Sequence, residues 1–404
     1  MTNQENVTLR RRLNLPLLVL YGTGVTVGAG IYVLIGAIAG HAKVHAPLAF
    51  VFAAVVMGLT VGSYAELCTR FPVAAGEAAY VKAAFQSRWL STATGLAMIG
   101  AGVVATSAVA IGAAGYVALF VDLPRPLVVA VIIVGLGLIS AWGVLESVLT
   151  ASLFTIIEIG GLGAIIVAAA QARMPIGSAL FTMPPLDSGL WLGIAFASLL
   201  AFFAFTGFED LTNMVEEAKA PERNVPIAMA LTLVITTVLY VIIAAIAVTA
   251  LPIDRLAGSD APLSLVFREV AGASPAVISA IAIVATLNTI IAQMTMAIRV
   301  VYGMARLGDL PRVFGQVSRA TATPLLATAF IVASAVALAL VASFERLAES
   351  TSLATLFVFA MVNLALLKLR WDGAKPRHNI VTVPILVPVL GLLTCLIMIV
   401  SALI

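Results

Sequence analysis

Apolar residues run along this chain in long stretches, without the three- or four-residue recurrence of an amphipathic helix or the two-residue alternation of a strand. Nearly charge-free stretches lie near 14–40, 46–66, 89–120, 126–143, 147–170, 189–216, 225–250, 273–303, 324–343, 349–368 and 381–403. Crossing the hydrocarbon of a bilayer takes roughly 20 such residues as a helix. The pattern therefore predicts an all-α integral membrane protein of about eleven spans. Arg10, Arg11 and Arg12 precede the first run in the manner of a secretory signal. That run carries no charge from Leu13 to Gly40, much longer than the roughly 7–15 apolar residues of a signal peptide, so a retained first span is expected.

Composition agrees. Of 404 residues, 62% are hydrophobic and 10% charged, against about 25% charged in soluble domains; a single transmembrane domain, 1–404, is expected. The formal charge of +3 is spread between the apolar runs, which fits topology and not nucleic acid. With a cytoplasmic amino terminus, only Lys43, Arg125, Arg173, Arg255, Arg268 and Arg346 of the 22 basic residues fall outside. The positive-inside rule selects that orientation, a multi-pass protein of the cell membrane with its carboxyl terminus outside.

Two spans carry the marks of interrupted helices. In the first, Gly22, Gly24, Gly28 and Gly30 fall within nine residues, each costing about 1 kcal/mol of helix propensity against alanine. Such a cluster suits either an unwound segment or close helix packing. In the sixth, the run from Phe202 to Phe208 meets Glu209 and Asp210 before a crossing is complete. These spans lie five helices apart and so run in opposite directions, as inverted repeats require: 1–170 as the first five-helix repeat, 189–370 as the second, and 381–403 as an extra helix. Matched breaks in inverted halves point to a transporter's binding site.

An unwound segment frees backbone groups that a polar substrate can satisfy, and half-helix termini attract opposite charges. A zwitterion suits such a site. The expected substrate-binding residues are Thr26, Val27, Gly28, Ala29 and Gly30 with Phe203, Ala204, Phe205, Thr206 and Gly207. Amides near Gly28, Ala29 and Gly30 would hold a carboxylate, and carbonyls of Phe203, Ala204 and Thr206 an ammonium.

Several strings resemble the amino acid, polyamine and organocation (APC) permease superfamily: Gly-Ala-Gly-Ile-Tyr-Val at 28–33, Ser-Tyr-Ala-Glu-Leu at 63–67, and Arg-Phe-Pro-Val-Ala-Ala-Gly-Glu-Ala-Ala-Tyr at 70–80. Phe-Thr-Gly-Phe-Glu at 205–209, the acidic and proline-bearing string at 216–226, and Tyr-Gly-Met-Ala-Arg-Leu-Gly-Asp-Leu-Pro at 302–311 extend the match through span eight. The resemblance implies a five-plus-five inverted repeat of the LeuT type and secondary transport of an amino acid without ATP hydrolysis. It also implies that the substrate meets the backbone of spans one and six. Relatives usually have twelve spans, where eleven are read here.

A second departure is Glu158, where proton-coupled relatives often carry a lysine in span five. An ionisable group at mid-span is costly and functional or paired. Glu158 lies roughly 11 residues into its span, Gly28 about 14, Phe205 about 16 and Asn288 about 15, so a rise of about 1.5 Å per residue brings all four near one depth. Glu158 is read as a coupling proton carrier, against a permanently protonated bridge between helices or a carboxylate attracting sodium or a cationic substrate. Glu209 either gates and responds to protonation or caps a helix. Asn288, grouped with Glu158 and Glu209 as an ion- or proton-coupling residue, is the first candidate on span eight to face the pathway, ahead of Thr289 and Gln293, and Glu66 is expected to be structural.

Residues 302–323 are expected to form a cytoplasmic loop with a short helix and charge pairs. Cys68 and Cys395 form no disulfide framework, and His41, His45 and His378 no metal set. No nucleotide motif or nucleophile constellation appears, so neither an enzyme nor a cofactor is expected. Proton-coupled symport into the cell is the leading reading, amino acid or polyamine exchange the alternative, and a non-transporting receptor a third.

Overall fold

The computed structural model describes residues 13–71, 76–142, 148–215, 217–318, 321, 323–373 and 381–403. Arg10, Arg11, Arg12, residues 72–75, Glu216, Arg319, Lys375, Arg377 and His378 lie outside the described residues. In chain order the helices are α1 Leu15–Ala42, α2 Ala46–Arg70, α3 Gly76–Phe85, α4 Arg88–Val117, α5 Arg125–Ala141, α6 Val148–Gln171, α7 Gly177–Phe181 and α8 Ser188–Phe205. They continue as α9 Pro221–Ala250, α10 Ile253–Ala257, α11 Pro262–Ala271, α12 Ala276–Leu307, α13 Leu325–Val341, α14 Phe344–Trp371 and α15 Leu386–Leu403. Each of the eleven apolar stretches coincides with a helix. Among the described residues, seven helical segments are long and apolar enough to cross a bilayer, one of them, Leu15–Arg70, comprising both α1 and α2; α5, α13 and α15 are shorter apolar helices.

Local chemistry sets the starts. Asn14 caps α1 by accepting from the Leu17 amide at 3.1 Å, and Asp187 caps α8 through the Leu190 amide at 2.8 Å. Side chains of this kind satisfy amides that the first turn leaves free. Proline opens α2, α9 and α11 within its first two positions, where a missing N–H costs nothing. Among the described residues, α1 packs chiefly on α8, α4 on α12 and α2 on α9. The cross-pairs match as well: α1 on α9 answers α2 on α8, and α4 on α14 answers α12 on α6.

Polar ties fix the periphery. Glu66, fully buried on α2, accepts from Arg70 at 2.6 Å, from Arg370 of α14 and from the Val383 amide at 3.0 Å. These bonds pin α14 and the approach to α15 onto α2. Asn363 of α14 adds a second tie, accepting from Ser63 at 2.6 Å and donating to Thr60 at 3.1 Å. Near the start of the chain, Leu13 bridges the segment after α8: its amide donates to Glu217 O at 3.1 Å and its carbonyl accepts from the Lys219 amide at 2.8 Å. The loop after α12 holds a short 3-10 turn, Arg312–Gly315. Asp309 there pairs at 2.5 Å with Arg88 of α4, outside the loop, because the left-handed Gly308 (φ 81) turns the chain back toward α4.

Candidate substrate and coupling site

Only one glycine of the α1 cluster breaks the helix. Gly28 has φ −4 and ψ −133, while its neighbours stay helical. The others admit close neighbours: a Cβ on Gly24 would lie 1.8 Å from Thr155 Oγ1, on Gly22 2.7 Å from Thr232 Oγ1, and on Gly30 2.5 Å from Ala204 Cα. The expected unwinding therefore narrows to a single residue, and the remaining glycines let α6, α9 and α8 press onto α1. On the other side, α8 ends at Phe205, Thr206 is extended (φ −64, ψ 143), and Gly207 takes φ 122. An L side chain at that positive φ is strained. A 3-10 turn, Phe208–Met214, carries the chain on.

A narrow cavity lies between the two breaks. Val25, Thr26, Ala29 and Gly30 line it from α1, Phe203, Ala204 and Thr206 from the end of α8, Ala105 from α4, and Thr289 and Gln293 from α12. None of these side chains is charged. Of the expected residues, Thr26, Ala29, Gly30, Phe203, Ala204 and Thr206 reach the cavity. Val27, Gly28, Phe205 and Gly207 do not. Phe205 turns away to stack on Tyr240 with ring centroids 5.0 Å apart, Val27 is fully buried, and Gly28 and Gly207 are covered by Thr289 and Val25. Val25 and Ala105 carry no polar signal that sequence could have shown.

The backbone groups of the breaks already have partners. The Ala29 amide donates to Thr289 Oγ1 at 2.9 Å, and Thr289 donates in turn to Ala285 O at 3.0 Å. Phe203 O accepts from Thr206 Oγ1 at 2.8 Å. The Tyr240 hydroxyl of α9 reaches Thr26 O at 2.8 Å, Ala204 O at 2.9 Å and Val27 O at 3.3 Å. A phenol has one proton to give, so this constellation is rich in acceptors. Thr26 Oγ1 is buried with no hydrogen-bond partner among the described residues. Tyr240 escaped the sequence reading; its one signal is a lone phenol in mid-span, which needs a partner when buried.

Glu158 and Asn288 do meet. Both are buried, and Asn288 Nδ2 donates to Glu158 Oε1 at 3.1 Å. Tyr32 of α1 donates to the Glu158 carbonyl at 2.6 Å, and Tyr116 of α4 donates to the Tyr32 carbonyl. Neither Glu158 nor Asn288 lines the cavity, whereas Thr289 and Gln293 do, because Asn288 lies on the α12 face turned to α6. Glu209 Oε2 accepts from the Gly207 amide at 2.8 Å, and the Glu209 carbonyl accepts from Thr212 at 2.7 Å. Glu209 thus caps the break and lies outside the cavity lining.

The amino acid permease family model matches residues 13–404, and the chain belongs to that family, within the amino acid, polyamine and organocation superfamily. Relatives include a vacuolar cationic amino acid transporter of Arabidopsis thaliana, 29% identical over 90% of this chain and 60% of its own length. A branched-chain amino acid permease of Bacillus subtilis is 29% identical over 98% of this chain and 88% of its own, and a methylthioribose transporter of the same organism 26% identical over 97% and 88%. The chain spans less than two thirds of the plant relatives it matches.

Proposed function

We propose that this protein is a secondary active transporter that carries a small neutral amino acid into the cell with a proton, by alternating access. The observation that carries this reading is the cavity between the Gly28 break and the Phe205–Gly207 break, acceptor-rich on its backbone and uncharged in its side chains. An ammonium supplies three donors to carbonyls that now share one phenol proton. A carboxylate would find the Ala29 amide at the start of the second half of α1 by displacing Thr289, aided by the helix dipole. With Glu158 and Glu209 both outside the lining, nothing on the cavity wall matches a cationic side chain, which favours a neutral substrate over lysine, arginine or a polyamine.

The reciprocal packing of α1 on α9 with α2 on α8, and of α4 on α14 with α12 on α6, supports two inverted five-helix repeats, 1–170 and 189–370, with α15 added. The buried Glu158–Asn288 pair, tied to α1 through Tyr32, supports Glu158 as the proton carrier; sodium is the alternative ion. The distribution of basic residues supports a cell-membrane protein with a cytoplasmic amino terminus.

The test is uptake of labelled amino acids into liposomes holding the purified protein, with and without an inward proton gradient, beside Glu158→Gln. Gradient-driven accumulation of neutral amino acids that is lost in the variant is the expected result. Accumulation only in liposomes preloaded with amino acid would replace symport with exchange. Pure gradient-driven uptake by Glu158→Gln would remove Glu158 from the coupling path.

A further inference from the structure

The first turn of α3 carries a carboxyl that the cavity does not use. Glu77 is 2% exposed. Its Oε1 accepts from the Tyr64 hydroxyl of α2 at 2.9 Å, and its Oε2 has no hydrogen-bond partner among the described residues. Tyr64 in turn packs edge-on against Phe208, centroids 5.6 Å apart, and Phe359, 5.4 Å apart. Phe208 is the residue that follows the α8 break at Gly207, so the ring that holds Glu77 rests on the segment that a change at the break must move.

Two further carboxyls follow Phe208 in the chain, and Glu77 lies within electrostatic reach of both Glu209 and Asp210. The other titratable or charged groups facing this cluster are Tyr64 and Cys68 from α2, Tyr80 from α3 and Arg299 from α12, the last acting on Asp210. One buried carboxyl, Glu77, and two partly buried ones, Glu209 and Asp210, therefore face a single cation, Arg299, among the described residues. An uncompensated negative charge is costly to hold away from water, and a carboxyl avoids that cost by taking up a proton.

Resting on the transporter reading above, we propose that Glu77 is a second proton-binding residue, working with Glu209 and Asp210 beyond the α8 break from the substrate cavity and separate from the Glu158–Asn288 pair. The Glu77 carboxylate forms an O–H with a proton from hydronium, whose own O–H bond breaks to leave water, and release to water runs the same step in reverse. When the break at Thr206–Gly207 rearranges, Phe208 shifts against Tyr64, the Tyr64 hydrogen bond to Glu77 loosens, and the proton-holding form gains. Burial already pushes the Glu77 carboxyl above its ordinary value of 4.5, opposed by its backbone hydrogen bond and by Tyr64. Glu77 therefore holds its proton more tightly in the folded chain than in the unfolded one. Stability is unaffected below the unfolded pKa, falls as pH rises from there to the raised folded pKa, and levels off above it.

Two measurements on the full chain test this. The first is exchange of a transported amino acid across liposomes with internal pH varied over roughly 5 to 8 at fixed external pH. Wild-type exchange is expected to depend on internal pH, Glu77→Gln to flatten that dependence, and Glu77→Asp to displace it. A wild-type profile in Glu77→Gln overturns the proposal. The second needs no transport: melting temperature of purified wild type and Glu77→Gln against pH. A fall with rising pH that is missing in Glu77→Gln supports proton binding at Glu77 even if no amino acid is carried; identical slopes overturn it. Sodium titrated at fixed pH is the control, and a sodium-dependent rise in melting temperature that Glu77→Gln abolishes overturns the proton assignment.

Discussion

The hydroxyl of Tyr240 donates to the carbonyl of Ala204 at 2.9 Å, and the same hydroxyl stands 2.8 Å from the carbonyl of Thr26. The two helix breaks are thus joined by one hydrogen that only one of them can hold at a time. In Tyr240→Phe both carbonyls lose this donor at a buried position. A group left unsatisfied in this way costs about 1–3 kcal/mol. Lower thermal stability in detergent is expected, recovered by substrate, whose ammonium supplies the missing donors. Substrate that stabilises the variant no more than wild type would make Tyr240 a scaffold residue only.

Thr289 offers the complementary test at the other end of the substrate. Thr289→Val keeps the shape and removes the acceptor of the Ala29 amide. The substrate-free protein is expected to lose about 1–3 kcal/mol. Carboxylate-bearing ligands should then raise the melting temperature more than in wild type, while the corresponding amines without a carboxylate should not.

Glycines divide by what their missing side chain would strike. Gly30→Ala puts a Cβ 2.5 Å from the Ala204 backbone, which cannot yield without moving α8; uptake should fall at least tenfold with a loss of about 1–3 kcal/mol for overpacking. Gly100→Ala on α4 meets nothing within 4 Å. There a gain of up to about 1 kcal/mol in helix propensity is expected, read as an unchanged or higher melting temperature with uptake intact.

The buried carboxylate of Glu66 gives the largest stability prediction. Arg370→Ala leaves Glu66 with Arg70 as its remaining cation among the described residues and frees the Val383 carbonyl. Breaking a buried pair costs about 3–5 kcal/mol, and the surviving arginine places the expected loss near the lower end. Glu66→Gln with Arg370→Gln should recover part of it, measured by thermal unfolding of single and double variants.

Elements were easier to read from sequence than the site, and the residues show why. Each of the eleven apolar stretches declares its helix through a long run of apolar positions, of which a crossing takes roughly 20, a signal spread over many residues. The breaks were legible because Gly28 and Gly207 adopt backbone conformations that glycine tolerates best. Which neighbour fills the space beside a break depends on helix rotation, and a rotation of one residue separates Asn288, facing Glu158, from Thr289, facing the cavity. Tyr240 was hidden for the same reason: a span that reads as uniformly apolar gives no hint of the face its phenol occupies. Glu77 lay inside a recognised motif, yet the lack of a hydrogen-bond partner for its Oε2 among the described residues is a property of the packing alone.

Leu13 is stitched on both its amide and its carbonyl to the chain at Glu217 and Lys219. The entry to α1 and the stretch beyond the α8 break are therefore fastened at their outer ends, as their glycine-lined middles are pressed together. Two hinges held at a common end lose their independence and act as a single lever. Opening toward that end then requires both broken helices to swing together or the Leu13 bridge to part, so a leading segment joined at Leu13 would bear directly on how far the lever moves.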